Sequence, residues 1–120
     1  MKNNKLGAIE SRFADIIWNN EPLATSQLVA LCSEELNWKR TTTYTVLKRL
    51  SDNGLFQNNK GIVTSLISRD DFYAKQSKSF VDETFNGSLP AFLAAFSSGK
   101  KLTREEVAEI QNLIDSYTEE

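Results

Sequence analysis

Apolar residues recur at three- and four-residue spacing through most of this 120-residue sequence, and the rhythm breaks once, around residues 55–67. That pattern confines the chain to a helical fold interrupted by one short β element. Leu6, Ile9, Phe13, Ile16 and Ile17 mark a first helix ending near Asn19-Asn20. Pro22 bars backward extension of a second helix, which Thr25 or Ser26 can cap and which turns Leu28, Leu31, Cys32 and Leu36 inward. A third helix within TTTYTVLKRLSDNG buries Thr43, Val46, Leu47 and Leu50 and stops at Asn53-Gly54. The rhythm then changes: Leu55 and Phe56 precede, and Ile62, Val63, Leu66 and Ile67 follow, the turn-forming cluster Asn58-Asn59-Lys60-Gly61. This reads as a β-hairpin.

Helical spacing resumes after Ser68, which stands three residues before Asp71 as in a capping box, and carries Phe72, Gln76, Phe80 and Thr84 to a stop at Asn86-Gly87. Ser88 and Pro90 open a short helix with Phe92, Leu93 and Phe96, which Ser97-Ser98-Gly99 is expected to break. Thr103 and Glu106 form another capping box, opening a last helix with Val107, Ile110, Leu113, Ile114 and Tyr117.

Three helices, a hairpin and three further helices predict a mainly α (α+β) chain: a winged helix-turn-helix DNA-binding domain at 1–68 and a helical dimerisation region at 69–120. The second segment is too short for a core of its own, so its stripe of Phe72, Phe80, Phe85, Phe92 and Phe96 needs a partner surface. A second copy of the chain is the simplest partner, with Val107, Ile110 and Ile114 joining the contact.

The helix-three side opposite its buried face carries Thr41, Thr45, Lys48 and Asp52, flanked by Thr42, Tyr44 and Arg49. Threonine is a mediocre helix former, so this run is not what propensity selects for an idle surface. Threonine hydroxyls can donate to phosphates, their methyls can meet thymine methyls, and Lys48 and Arg49 can reach phosphate or guanine; the plain alternative is a solvated face with a fortuitous N-cap.

The net charge of −2 conceals an asymmetry. Residues 39–60 hold Lys39, Arg40, Lys48, Arg49 and Lys60 against Asp52 alone, whereas the acidic excess lies beyond residue 79. Lys60, at the hairpin tip, is either a wing contact to the DNA backbone or part of a plain scaffold. Trp18 and Trp38 read as packing between helices, and Cys32, sharing a face with three leucines, reads as core.

Histidine is absent and cysteine single, which removes the ordinary zinc, copper and haem ligand sets and the histidine-activated nucleophiles. No catalytic residue, metal site or cofactor is expected, and the chain does not read as an enzyme. Asp70-Asp71 and Glu105-Glu106 lie in first helical turns, where they complement the helix dipole. The apolar runs are far too short for a membrane span, and MKNNKLGAIESR lacks a secretory apolar core, so a cytoplasmic location is expected. A winged-helix adaptor that binds protein and not an operator is the alternative.

The stretch WKRTTTYTVLKRLSDNGLF, with Trp18 at the end of the first helix, Gly61 in the hairpin, the phenylalanine-rich helices and the ending LTREEVAEIQNLI, resembles the penicillinase-repressor family along essentially the whole chain. The resemblance implies a homodimeric repressor that inserts its third helix into palindromic double-stranded operators, regulating β-lactam-resistance or copper-homeostasis genes. Thr42, Thr45 and Arg49 would touch DNA. Thr43 replaces the family's usual valine, Asn53 a lysine, and Ile62 a common arginine; Val63 and Ser65 replace an aromatic and a proline. Copper-responsive members carry paired C-terminal cysteines, which this sequence lacks. β-Lactam-responsive members are cut by a sensor protease before a phenylalanine in the short helix; the counterpart is Ala95-Phe96, with Ala95 in place of the family's asparagine.

Overall fold

The computed structural model describes residues 6–117 and divides after Ser77 into two compact units. The first contains α1 (Ala8–Asn20), β1 (Leu23–Ala24), α2 (Thr25–Leu36), α3 (Arg40–Asp52), β2 (Phe56–Asn59), β3 (Ile62–Ser65) and the start of α4 (Arg69–Phe85). The second contains the remainder of α4, then α5 (Leu89–Gly99) and α6 (Arg104–Ser116). The first unit is a winged helix: a helical trio with a small antiparallel sheet ordered β1-β3-β2.

The buried face of α3 is Thr43, Val46, Leu47 and Leu50, the face its periodicity specifies. It belongs to one buried core with Phe13, Ala14, Ile16 and Ile17 of α1, Leu28 and Cys32 of α2, and Leu23, Leu55, Phe56 and Val63 from the sheet side. Thr43 stands in that apolar core without an orphaned hydroxyl, because its Oγ donates to the Lys39 carbonyl at 3.3 Å. Burial pushes the Cys32 thiol above its ordinary value, with Thr43 opposing the shift and Glu35 adding to it. Trp38 stacks on Phe13 at 5.4 Å, and the Trp18 indole N–H donates to the Ile67 carbonyl at 3.0 Å.

Gly54 (φ +89°) ends α3, its N–H bonding the Ser51 carbonyl while the Leu55 N–H reaches Leu50, a Schellman pattern. The hairpin closes through Lys60 and Gly61, both at positive φ as a two-residue type I′ turn requires.

Several local expectations are corrected. Ile9 is 48 % exposed, because α1 reaches the core only from Phe13 onward. Neither Thr25 nor Ser26 caps α2; the N-cap is Ala24, whose N–H is taken by the Gln27 side chain at 2.8 Å. β1 causes this shift, since it pairs Leu23 with Val63 and Ala24 with Ile62 and passes the Thr25 N–H to the Gly61 carbonyl. Phe72 does not join the exposed phenylalanine stripe. It is 3 % exposed inside the first unit, packed against Trp18 at 5.9 Å and Tyr73 at 5.2 Å.

In the second unit, Ser88 caps α5 by accepting the Ala91 N–H, and Thr103 and Glu106 cap α6 reciprocally. Lys100 also reaches Glu106 at 3.1 Å, and together these donors hold that carboxyl below its usual range. Helix α5 ends at Gly99, the last residue of the Ser97-Ser98-Gly99 cluster, with the two serines forming its final turn. Their hydroxyls donate back to the Leu93 and Ala95 carbonyls and satisfy themselves within the helix. Phe80, Phe85 and Phe92 form a mutual edge-on ring cluster at 5.6–5.9 Å, with Phe96 6.3 Å from Phe92.

Candidate nucleic-acid interface

Burying one face of α3 leaves the other to solvent, and Arg40, Thr41, Thr42, Thr45, Lys48 and Arg49 are all exposed on it. Tyr44 is half-buried, with the Arg40 guanidinium 5.5 Å from its ring centre, so the ring supports that cation against the helix. Thr45 donates its hydroxyl to the Thr41 carbonyl at 2.9 Å, which fixes its rotamer. Lys48 pairs with Asp52 at 3.2 Å across one helical turn, and both side chains are well exposed. Such a pair adds little stability in water and gives way readily to a stronger anion.

The N-terminus of α3 departs from helix rules. No side chain caps it, its first turn has no acid, and the cations Lys39 and Arg40 stand where the helix dipole is already positive. Each such placement costs about 0.3–1 kcal/mol in an isolated helix, a cost that an incoming phosphate reverses.

The wing is pinned to the start of α2. The Thr25 N–H donates to Gly61 at 2.9 Å, and the Asn58 side chain accepts the Gly61 N–H at 2.9 Å. Lys60 is exposed at the tip with φ +54°, a conformation that asparagine or glycine adopts more cheaply. Glu21 secures the second wing strand, its carboxylate accepting both the backbone N–H and the hydroxyl of Ser65 at 2.8–2.9 Å.

Arg49 was expected to be an exposed DNA contact and is also an ion-pair partner of Glu10 on α1. Glu10 carries no local signal for this role, because the two residues lie 39 positions apart. The candidate cleavage residues Ala95 and Phe96 both lie within α5 and are exposed. Val107 and Ile114 are each at least half exposed, and Ile110 is partly so; no residue of α5 or α6 is buried. An apolar helix face of this kind lacks the cover that its pattern requires.

Comparisons with known proteins place these features in a family. A family model described as penicillinase repressor matches residues 6–116. The penicillinase repressor of Bacillus licheniformis is 24 % identical over 106 residues, covering 85 % of this chain and 83 % of the relative. That of Staphylococcus aureus is 19 % identical over 121 aligned positions, covering 98 % and 96 %. Identity this low leaves surface side chains free to differ, but the match takes in both units, including the helix that bears the exposed hydroxyls and cations. The chain therefore belongs to the penicillinase repressor family, a family of transcriptional repressors.

Proposed function

We propose that the chain is a homodimeric, sequence-specific transcriptional repressor that binds palindromic double-stranded DNA. The observation that carries this reading is the exposed side of α3, where hydroxyls and cations crowd a helix start that has neither cap nor acid. Thr41, Thr42, Thr45 and Arg49 serve as base-edge and phosphate contacts; Lys39, Arg40 and Lys48 as phosphate contacts; Tyr44 as the support of Arg40. Lys60 on the wing meets the backbone beside the groove. The exposed and partly exposed apolar residues of the end of α4 and of α5 and α6 support pairing through Phe80, Phe85, Phe92, Phe96, Val107, Ile110 and Ile114. Two-fold pairing sets the reading heads about one DNA turn apart, ~34–36 Å.

The role is non-catalytic and placed in the cytoplasm with the DNA; among the described residues no helix is long and apolar enough to cross a membrane. Gel shift on the region upstream of the chain's own coding sequence, with rising salt, tests the reading. Specific binding should weaken steeply as phosphate contacts release counterions, and no preference over random duplex would refute it and favour the adaptor alternative.

Derepression by a sensor protease cutting at Ala95-Phe96 completes the proposal. The bond lies inside α5, so cleavage requires local opening of that helix. Co-expression with a cognate sensor protease and inducer should yield a fragment ending near residue 95, whereas an intact chain during derepression would exclude it.

A further inference from the structure

We propose that Glu10 is a positioning residue of the DNA interface, aiming the Arg49 guanidinium so that the chain separates its operator from random DNA; this rests on the DNA-binding reading above. The carboxylate is itself held in place. One oxygen accepts the Gly7 N–H at 3.2 Å at the start of α1, and the other accepts from the Arg49 Nη2. Glu10 is the more enclosed partner, its side chain 26 % exposed against 52 % for Arg49. Helix α1 is anchored in turn by Phe13, Ala14, Ile16 and Ile17, so the backbone that carries the acceptor is held by the core.

Arg49 shares the α3 face of Thr42 and Thr45, at spacings of seven and four residues. A long side chain on that face normally loses its rotamer freedom when it meets DNA. Here the Glu10 carboxylate imposes much of that loss on folding. A guanidinium has its donors in one rigid plane, so fixing one amino group on a carboxylate narrows the directions open to the others.

The pair is too exposed to matter much for stability. A carboxylate beside a DNA-facing cation also weakens attraction to phosphates in general. Its effect is therefore on discrimination: Arg49 contributes less charge to any duplex, and its full directional bonding only to the one whose groove meets it in that orientation.

Glu10→Gln tests this, since glutamine keeps the carbonyl acceptor for Gly7 and removes the charge that holds Arg49. The full chain is titrated on a duplex enriched by the wild type from a random pool and on a scrambled duplex at the same salt, with the thermal midpoint recorded alongside. The operator affinity should fall about 5- to 10-fold while scrambled-duplex affinity stays level or rises, at an unchanged midpoint. In an Arg49→Ala background the same substitution should leave the affinity ratio unaltered, because the effect passes through Arg49. A wild-type ratio in Glu10→Gln, or an equal fall without Arg49, would overturn the role of Glu10 and leave the repressor reading standing. A wild type that enriches no sequence would overturn both.

Discussion

Replacing Phe72 by alanine should destabilise the first unit and leave self-association intact. The ring is 3 % exposed and lies edge-on to Tyr73 at 5.2 Å and tilted against Trp18 at 5.9 Å. Truncating a phenylalanine so enclosed costs about 3–5 kcal/mol, of which the aromatic pairings account for about 0.5–1.5 kcal/mol each. Against a total of about 5–15 kcal/mol for a domain, that is a large fraction. Both tryptophans of the chain, Trp18 and Trp38, lie in the first unit, so indole emission follows that unit alone during urea unfolding. Phe72→Ala should bring the emission midpoint down sharply, whereas Phe96→Ala, on an exposed ring of α5, should leave the unit's own midpoint nearly level and weaken association in sedimentation at low concentration. The reverse pattern, an unmoved emission midpoint with lost association in Phe72→Ala, would show that the ring belongs to the interface between copies.

Lys60→Asn relieves a positive-φ lysine and should raise stability by a few tenths of a kcal/mol while reducing the slope of log K against log salt by about 1, measurable by thermal melts and salt-dependent titration. Arg49→Ala should cost about 1–3 kcal/mol of operator binding by fluorescence anisotropy. Thr103→Ala removes one half of the α6 cap and should cost about 1 kcal/mol, read as lost helicity by circular dichroism. Glu106 is held below its usual carboxyl value first by Thr103 and then by Lys100, so its contribution is present at neutral pH and disappears as the pH falls below the ordinary glutamate range and through the lowered value; acid titration of wild-type helicity should show this, and Glu106→Gln should remove it. Cys32, fully buried and with its thiol pushed up, should resist alkylation in the native chain and react on addition of urea.

What could be read from the residues was what local periodicity and turn chemistry encode. The buried face of α3 follows from the spacing of Thr43, Val46, Leu47 and Leu50, and its exposed face from the same wheel. The Thr103-Glu106 cap and the Asn58–Gly61 turn are likewise local signatures. What escaped was set by distant pairing. β1 is two residues long, too short for any alternation, and exists because β3 offers Leu23 and Ala24 a partner. Its presence moved the α2 cap onto Ala24 and Gln27. Phe72 belongs by spacing to the same stripe as Phe80, but Trp18, far away in sequence, draws it into the first unit. Glu10 was invisible as a site residue because its meaning depends on Arg49, on another helix.

The most direct test is to let the purified chain select from a pool of random duplexes at physiological salt and to sequence what it retains. A dimer reading DNA through α3 should enrich a palindrome whose half-sites are centred about 10–10.5 base pairs apart, or a multiple of that spacing. A retained pool without sequence preference, or an enriched site with no two-fold symmetry, would contradict the account.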